Sequence, residues 1–426
     1  MEQKKRLVIV GGGFGGLNLA KYIDKKQWEV TLVDRHNYHS FAPLFYQVAS
    51  AGLEPAGITF PLRREVRRRR MRGVRYTMGD VSRVDVARKI VYTDYEELPY
   101  DSLVIAAGAT NNFFGIEGLE KNVYTIKSAP ESIKARNAIL YNLERASRTA
   151  DPKERRRLLT FAVVGGGPTG VEIAGALGEM KRWTIIRDYP RINMDEVRVV
   201  LYEGTDKLLR TMSAKSSADA LTALRELMVD VRLGKTMKSY KDHTLTFADG
   251  ETLDCGMVIW TAGIVGNQID LEGCDVKPGP GGRFIVDEFN RVTGAPDVYA
   301  IGDISLHMDD RFPRGCPQLA QPAIQQGRNL ARNLNLAPGK AMTPFSYNDK
   351  GSMATIGRNR AVVDMGKIHF DGWFAWIMWM AVHLVTLLGM RNKLVVFLNW
   401  IWNYFGFATS LRMILKPSRY PDEFRN

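Results

Sequence analysis

The feature that constrains this chain most is a unit that occurs twice: an apolar strand, a glycine-rich turn, a helix, and a second strand ending in an acid. In the first copy Leu7-Val8-Ile9-Val10 runs straight into Gly11-Gly12-Gly13-Phe14-Gly15-Gly16, and Val30-Thr31-Leu32-Val33 ends in Asp34. Each glycine of the pattern has a task. Gly11 permits a tight turn, Gly13 lets backbone approach a pyrophosphate, and Gly16 lets the following helix pack closely on the strand. The helix turns its free N–H groups and positive dipole end toward the phosphates, and the acid accepts from a ribose 2′-OH. In the second copy Leu159-Thr160-Phe161-Ala162-Val163-Val164 leads into Gly165-Gly166-Gly167-Pro168-Thr169-Gly170, and a strand from Val197 to Tyr202 ends in Glu203. Two such units predict two dinucleotides. Glu203 suits the free 2′-OH of NADH and repels the extra phosphate of NADPH, a preference that Lys207 and Arg210 soften.

The rest of the chain narrows the reading. A length of 426 residues leaves room for two or three domains, and 45% hydrophobic with 25% charged residues is ordinary globular composition. A net charge of +13 suits nucleic acid, an anionic membrane surface or an anionic substrate. The basic run from Arg63 to Arg72 reads as a solvated helix face or as a contact with acidic phospholipid. Nucleic acid is disfavoured because no aromatic residues interleave the run to stack on bases. Cys255, Cys274 and Cys316 form no Cys-x-x-Cys pair, which argues against a disulfide framework, a zinc site or a dithiol redox centre, and no metal is expected. The first residues enter the first strand with no apolar signal region, so a cytoplasmic body is expected.

Three further strands end in small residues or an acid: Leu103 to Ala109, Met257 to Gly263, and Val298-Tyr299-Ala300-Ile301-Gly302-Asp303. Chain and cofactor can approach closely at such ends. One site should keep a flavin and the other admit a nicotinamide that passes it a hydride. Together these pieces resemble the two-dinucleotide-binding flavoprotein reductases. The resemblance implies an α/β fold of two Rossmann-like domains, with non-covalent FAD in the first and NADH as substrate in the second. The FAD domain would take residues 1–112 and 295–340, the inserted NADH domain 113–294, and a C-terminal membrane-anchoring region 341–426. It places Gly11, Gly13, Phe14, Gly15, Gly16, Asp34, Arg35, Pro43, Val81, Ala107, Gly108, Gly302, Asp303, Ala320 and Gln321 at FAD. It places Gly165, Gly167, Pro168, Thr169, Gly170, Glu172, Glu203, Ala262 and Gly263 at NADH.

The acceptor is read from Pro317 to Gly327, a helix start with Pro322 in its first turn, where a missing N–H costs nothing. Gln321 and Gln325 are one turn apart on one face, and neutral amides can hydrogen-bond quinone carbonyls without adding charge. The Ala320-Gln321-x-Ala323-x-Gln325 arrangement looks like the quinone motif of type II NADH:quinone oxidoreductases, and the stretch from Phe41 to Ala49 is similar to that family's flavin-side loop. The resemblance covers essentially the whole chain. It implies transfer of two electrons from NADH through FAD to a membrane quinone without proton pumping. Catalytic roles fall to Glu172, Gln321 and Gln325, and quinone contacts to Tyr46, Gln321, Gln325 and Lys393. Lys393 suits lipid phosphate better than the quinone pocket, and Glu172 could merely complement a helix dipole. Ala107 departs from the family, where many relatives have threonine.

The tail offers an independent check. Gly372 to Met390 and Leu394 to Leu411 carry no formal charge, and five of the eight tryptophans fall in the tail. Tryptophan favours the headgroup boundary. Asn399, Asn403 and Ser410 share a stripe, which fits an amphipathic helix lying in the membrane plane; a transmembrane hairpin would carry Arg391 and Lys393 across. The expected placement is therefore peripheral, on the cytoplasmic face of the inner membrane, with an anionic lipid surface as partner and a homodimer through the tail as an option. Competing readings are a soluble reductase of a ferredoxin-like or rubredoxin-like protein, favoured by the basic surface, and a slow-turnover NADH-sensing flavoprotein.

Overall fold

The computed structural model describes residues 4–406 and 411–415. Two compact units interleave along the chain: Met1–Ser40, Phe60–Thr110 and Ile264–Lys350 form the first, and Phe41–Thr59, Asn111–Gly263 and Gly351–Asn426 the second.

The first unit is built on a five-stranded parallel sheet. Its order is Val298–Ala300, Ser102–Ile105, Lys5–Val10, Trp28–Asp34 and Val74–Met78. The inner strands are apolar on both faces because both faces are covered, as parallel sheets require. On one face the helices Phe14–Tyr22 and Ala320–Leu334 lie side by side. Glycine makes that closeness feasible, since a Cβ at Gly327 would stand 2.4 Å from the Gly15 carbonyl oxygen. A smaller sheet of Val81–Asp85, Ile90–Thr93 and Glu97–Pro99 is extended by Asp270–Glu272, which pairs in parallel with Val81–Asp85. That pairing is why residues 264–294 cluster here and not with the nucleotide insert.

The second unit repeats the theme with a parallel sheet in the order Val229–Arg232, Arg198–Tyr202, Thr160–Val164, Met257–Trp260. Its C-terminal part forms an antiparallel sheet of Ser352–Thr355, Ala361–Met365 and Ile368–Asp371. This sheet packs on the helix Pro168–Glu179, where a Cβ at Gly175 would meet the Gly357 nitrogen at 3.0 Å. The tail therefore clusters with the nucleotide insert.

Two helices follow, Gly372–Thr386 and Met390–Gly406. The expected amphipathic arrangement appears with its sense fixed. Asn392 Nδ2 donates to the Thr59 carbonyl (3.0 Å), Asn403 Nδ2 to the Gly52 carbonyl (2.9 Å), and Trp400 Nε1 to Gln47 Oε1 (2.9 Å). The polar stripe thus faces the protein, whereas Leu398, Trp402 and Phe405 point outward. Ser410 lies outside the described residues. No described helix is long and apolar enough to cross a membrane, which corrects the hairpin alternative. The uncharged stretch beginning at Gly372 stops being helical at Thr386, and 15 residues rise only about 22 Å against a hydrocarbon core of about 30 Å.

Candidate functional site

In the first unit the glycine turn has the geometry its sequence requires. Gly11 adopts φ +110°, and a Cβ there would lie 2.3 Å from the Ala106 oxygen. At Gly16 it would lie 1.9 Å from the Gly11 oxygen. A Cβ on Gly13 would meet nothing within 4 Å, so the turn is closed on the protein side and open where a pyrophosphate would sit. Asp34 Oδ2 accepts from the Gly12 N–H (2.6 Å) and Oδ1 from the His36 N–H (2.7 Å). Burial raises its pKa, while those two N–H groups oppose the shift.

Other groups complete the cradle. Gly108 takes φ +70° and its Cβ direction is open; Asn267 Nδ2 donates to the Ala107 carbonyl at 2.6 Å. The Gly302 N–H donates to Gln326 Oε1 (2.6 Å), and Gln318 Nε2 donates to the Asp303 carbonyl (2.9 Å). Buried Gln326 and half-buried Gln318 thus hold the Gly302-Asp303 turn, a role the sequence did not reveal. His39, also missed, is buried, with Nδ1 donating to the Gly12 carbonyl (3.0 Å) and the Phe14 ring edge-on at 5.0 Å. Burial depresses its pKa to about 4, so the ring is neutral. Its Nε2 is a buried acceptor with no protein partner, which a hydroxylated cofactor would satisfy. The residues present fit FAD on three counts: the open Gly13 cradle, the open Gly108 turn and this orphaned nitrogen.

Three other expected FAD residues have these local settings. Arg35 pairs with Asp80 (3.1 Å) on the surface, and the Val81 side chain is part of the hydrophobic core. Pro43 lies in the turn Ala42–Leu44 of the second unit. Ala320 begins the predicted helix, and Gln321 is half-buried in its first turn with no side-chain hydrogen bond among the described residues. Gln325 is different. Its Nε2 donates to the Asn348 carbonyl and its Oε1 accepts from the Asn348 N–H, both at 3.0 Å. The pair of available amides expected on this face is therefore reduced to Gln321, because Gln325 clasps the 348 backbone.

The second unit reproduces the turn. Gly165 has φ +114° and would place a Cβ 2.7 Å from the Ala262 backbone; at Gly170 the Gly165 oxygen would be 1.8 Å away, and at Gly167 nothing lies within 4 Å. Glu203 Oε2 accepts from the Gly166 N–H (2.6 Å), and Oε1 from the N–H and hydroxyl of Thr205 (each 2.8 Å). Pro168 and Thr169 are exposed at the helix start, and a Cβ at Gly263 would strike the Phe114 ring at 2.6 Å.

Glu172 points into this unit's interior. It is buried, and burial pushes its pKa up to about 8, against the Thr355 N–H and the Trp379 side chain. Trp379 Nε1 acts on that carboxyl only loosely, since it is otherwise a buried donor without a well-formed hydrogen bond. Beside it lies a cavity of about 150 Å³ whose wall includes Tyr46, Gln47, Thr355, Arg358, Trp376, Trp379 and Trp400. Trp400 donates to Gln47, and Gln47 Nε2 donates to the Tyr46 hydroxyl (2.7 Å), so Tyr46 keeps its own O–H to donate. Burial first, then Glu172, Gln47 opposing, and Glu179 act on Tyr46, whose hydroxyl stays protonated. Lys393 is not on this wall. Its Nζ donates to the Val385 carbonyl at 2.5 Å, closing the last turn of Gly372–Thr386. Among the described residues Asp219, His369 and Asp371 could share a cation, but both ring nitrogens of His369 are engaged, with Asp219 and Asp364 (3.0 Å each).

Comparison with known proteins bears on both units. The pyridine nucleotide-disulphide oxidoreductase family model matches residues 5–327, and the NDH2 C-terminal domain model matches 350–406. The chain is 34% identical to the type II NADH:quinone oxidoreductase Ndh of Mycobacterium tuberculosis, over 93% of this chain and 88% of that one. It is 35% identical to NdhA of the same organism, over 95% and 88%. The structure of NDH2 from Plasmodium falciparum in complex with NADH superposes with a TM-score of 0.88, covering 97% of this chain and all of that chain at 23% identity, which is a likeness of fold. The chain belongs to the type II NADH:quinone oxidoreductase family, FAD-dependent enzymes that pass electrons from NADH to quinone without pumping protons.

Proposed function

We propose that the quinone head enters the cavity beside Glu172, that the cavity's aromatic wall and Tyr46 select and orient it, and, on the helix motif by itself, that Gln321 takes part in quinone reduction. The observation that carries this reading is the pairing of an aromatic pocket with an enclosed protonated carboxyl behind its wall. Flat aromatic side chains suit a flat conjugated ring, and the Tyr46 O–H can donate to a quinone carbonyl without charge. When bound, FAD supplies the two-electron carrier between NADH and quinone. The chain's own residues do the rest. Gly13 and Gly167 admit the two pyrophosphates, Asp34 and Glu203 brace the turns and face the riboses, and Glu172 holds a proton near the nicotinamide side. Gln321 offers its amide from the first turn of its helix, where partial positive charge favours developing negative charge.

The outward apolar side chains of the two C-terminal helices seat the enzyme on a membrane, in plane, on the cytoplasmic face, with basic side chains meeting anionic headgroups. A second copy covering the same helices is the competing occupant, and sedimentation in lipid-free detergent separates the two.

The test is stopped-flow absorbance. NADH should bleach the yellow protein, and a short-chain quinone should restore the colour. Gln321→Ala is expected to slow the second phase roughly tenfold and spare the first. Equal effects on both phases would remove Gln321 from the quinone site.

A further inference from the structure

The reaction consumes one proton from solution for each NADH oxidised, since NADH, H+ and quinone give NAD+ and quinol. Glu172 is enclosed and is not part of the cavity wall, so a second group must connect it and the quinone to water. Seven residues on, two helical turns and about 10 Å along the axis, Glu179 shares its helix face. Glu179 does line the cavity. Between the two acids stand only Gly175 and Ala176 on that side, and Ala176 also lines the cavity.

The two acids are held alike. The Thr355 N–H serves Glu172, and the Arg358 N–H donates to Glu179 Oε1 at 2.7 Å. The Tyr46 hydroxyl senses both carboxyls. After Glu179 the helix widens into a π-helix, Met180–Ile185, which contributes Met180, Trp183 and Thr184 to the wall. Such segments concentrate at functional sites. The charged groups facing Glu179 are few. Arg358 sits beside it while donating to the Tyr404 carbonyl (3.0 Å), and Arg412 on the same wall is paired with Asp188 (2.6 Å).

Resting on the reading that quinone enters this cavity, we propose that Glu179 is the acid that feeds protons from water to the site of quinone reduction. Its carboxylic O–H bond breaks as a new O–H bond forms on the quinone oxygen. The electron pair is the one delivered by NADH. The Glu179 carboxylate is steadied by Arg358 and then takes a proton from water in the open cavity. Burial raises this carboxyl above the ordinary glutamate range, with Arg358 opposing.

The experiment uses flavin-loaded enzyme, pre-reduced anaerobically with NADH and mixed with a short-chain benzoquinone in the presence of a pH-indicator dye. Glu179→Gln retains the acceptor for the Arg358 N–H. It should leave NADH bleaching unchanged, slow reoxidation and dye-reported proton uptake together by roughly tenfold, and raise the solvent deuterium effect on reoxidation. Glu179→Ala should be slow as well and should be rescued by formate, which a merely structural defect would not be. Wild-type reoxidation in Glu179→Gln, or a slow Glu179→Ala that ignores formate, overturns the assignment. Ala176→Phe, which fills the cavity, separates the two claims. If it leaves reoxidation untouched, the cavity reading falls and the relay with it; if it slows reoxidation while Glu179→Gln does not, the relay alone falls.

Discussion

Replacing Glu172 by glutamine should change how the enzyme's stability depends on pH. Glu172 is 7% exposed, and burial lifts its carboxyl from an ordinary 4.5 to about 8. Below pH 4.5 both folded and unfolded chains hold the proton, and the full stability is present. Above it the unfolded chain releases the proton and the folded chain keeps it, so wild-type stability falls until the folded carboxyl also ionises near pH 8. At about 1.4 kcal/mol per pH unit the loss across that window is about 5 kcal/mol. Glutamine is neutral throughout and can still accept from the Thr355 N–H. The variant should therefore gain on the wild type as pH rises from 5 to 8, by about 4 kcal/mol. Thermal and urea melts of both proteins at pH 5, 6.5 and 8 measure this. Profiles that run parallel would show that Glu172 ionises normally, and its role as an enclosed proton store would be lost.

Gly13→Ala should fold normally yet lose its yellow colour, because the new methyl meets only the space meant for pyrophosphate; Gly16→Ala should fail to accumulate, since the Gly11 oxygen stands 1.9 Å away. Absorbance and circular dichroism distinguish the two. Gln326→Ala leaves the Gly302 N–H unpaired and should cost about 1–3 kcal/mol, read as a lower melting temperature with faster flavin loss. Replacing Trp402 and Phe405, which are 71% and 77% exposed, by serine should release the enzyme from vesicles while a water-soluble quinone is still reduced. At about 1.5–3 kcal/mol for each buried side chain, binding should fall at least 100-fold, and unchanged sedimentation would refute the outward-facing anchor.

Both nucleotide turns were legible because their chemistry is local: strand, glycines and acid follow one another in order, from Leu7 to Asp34 and from Leu159 to Glu203, and steric need fixes each glycine. The hold of Gln325 on Asn348 was not legible because the 348 backbone belongs to a later irregular stretch that no helical periodicity announces. Lys393 stands out as a charge in an apolar tail, and the sequence did not show that the end of the preceding helix would present it with the Val385 carbonyl. The stripe of Asn399, Asn403 and Ser410 marked the last helix as two-sided, but sequence alone could not say that Asn403, together with Asn392, faces inward, since the carbonyls they serve come from Gly52 and Thr59. Glu179 carried a readable signal, its spacing from Glu172, and needed the cavity to give it meaning. The pairing of Asp270–Glu272 with Arg83–Asp85 was not legible, because the two strands lie almost two hundred residues apart.

The bracing of Glu203 bears on attempts to re-engineer nucleotide preference. Swapping this acid for a small neutral residue, the obvious route to accepting a 2′-phosphate, would also strand the donors of Gly166 and Thr205. The loop that must grip the coenzyme would loosen in the same step. A successful conversion must keep an oxygen there, as glutamine does, and gain its attraction for phosphate from neighbouring cations such as Lys207.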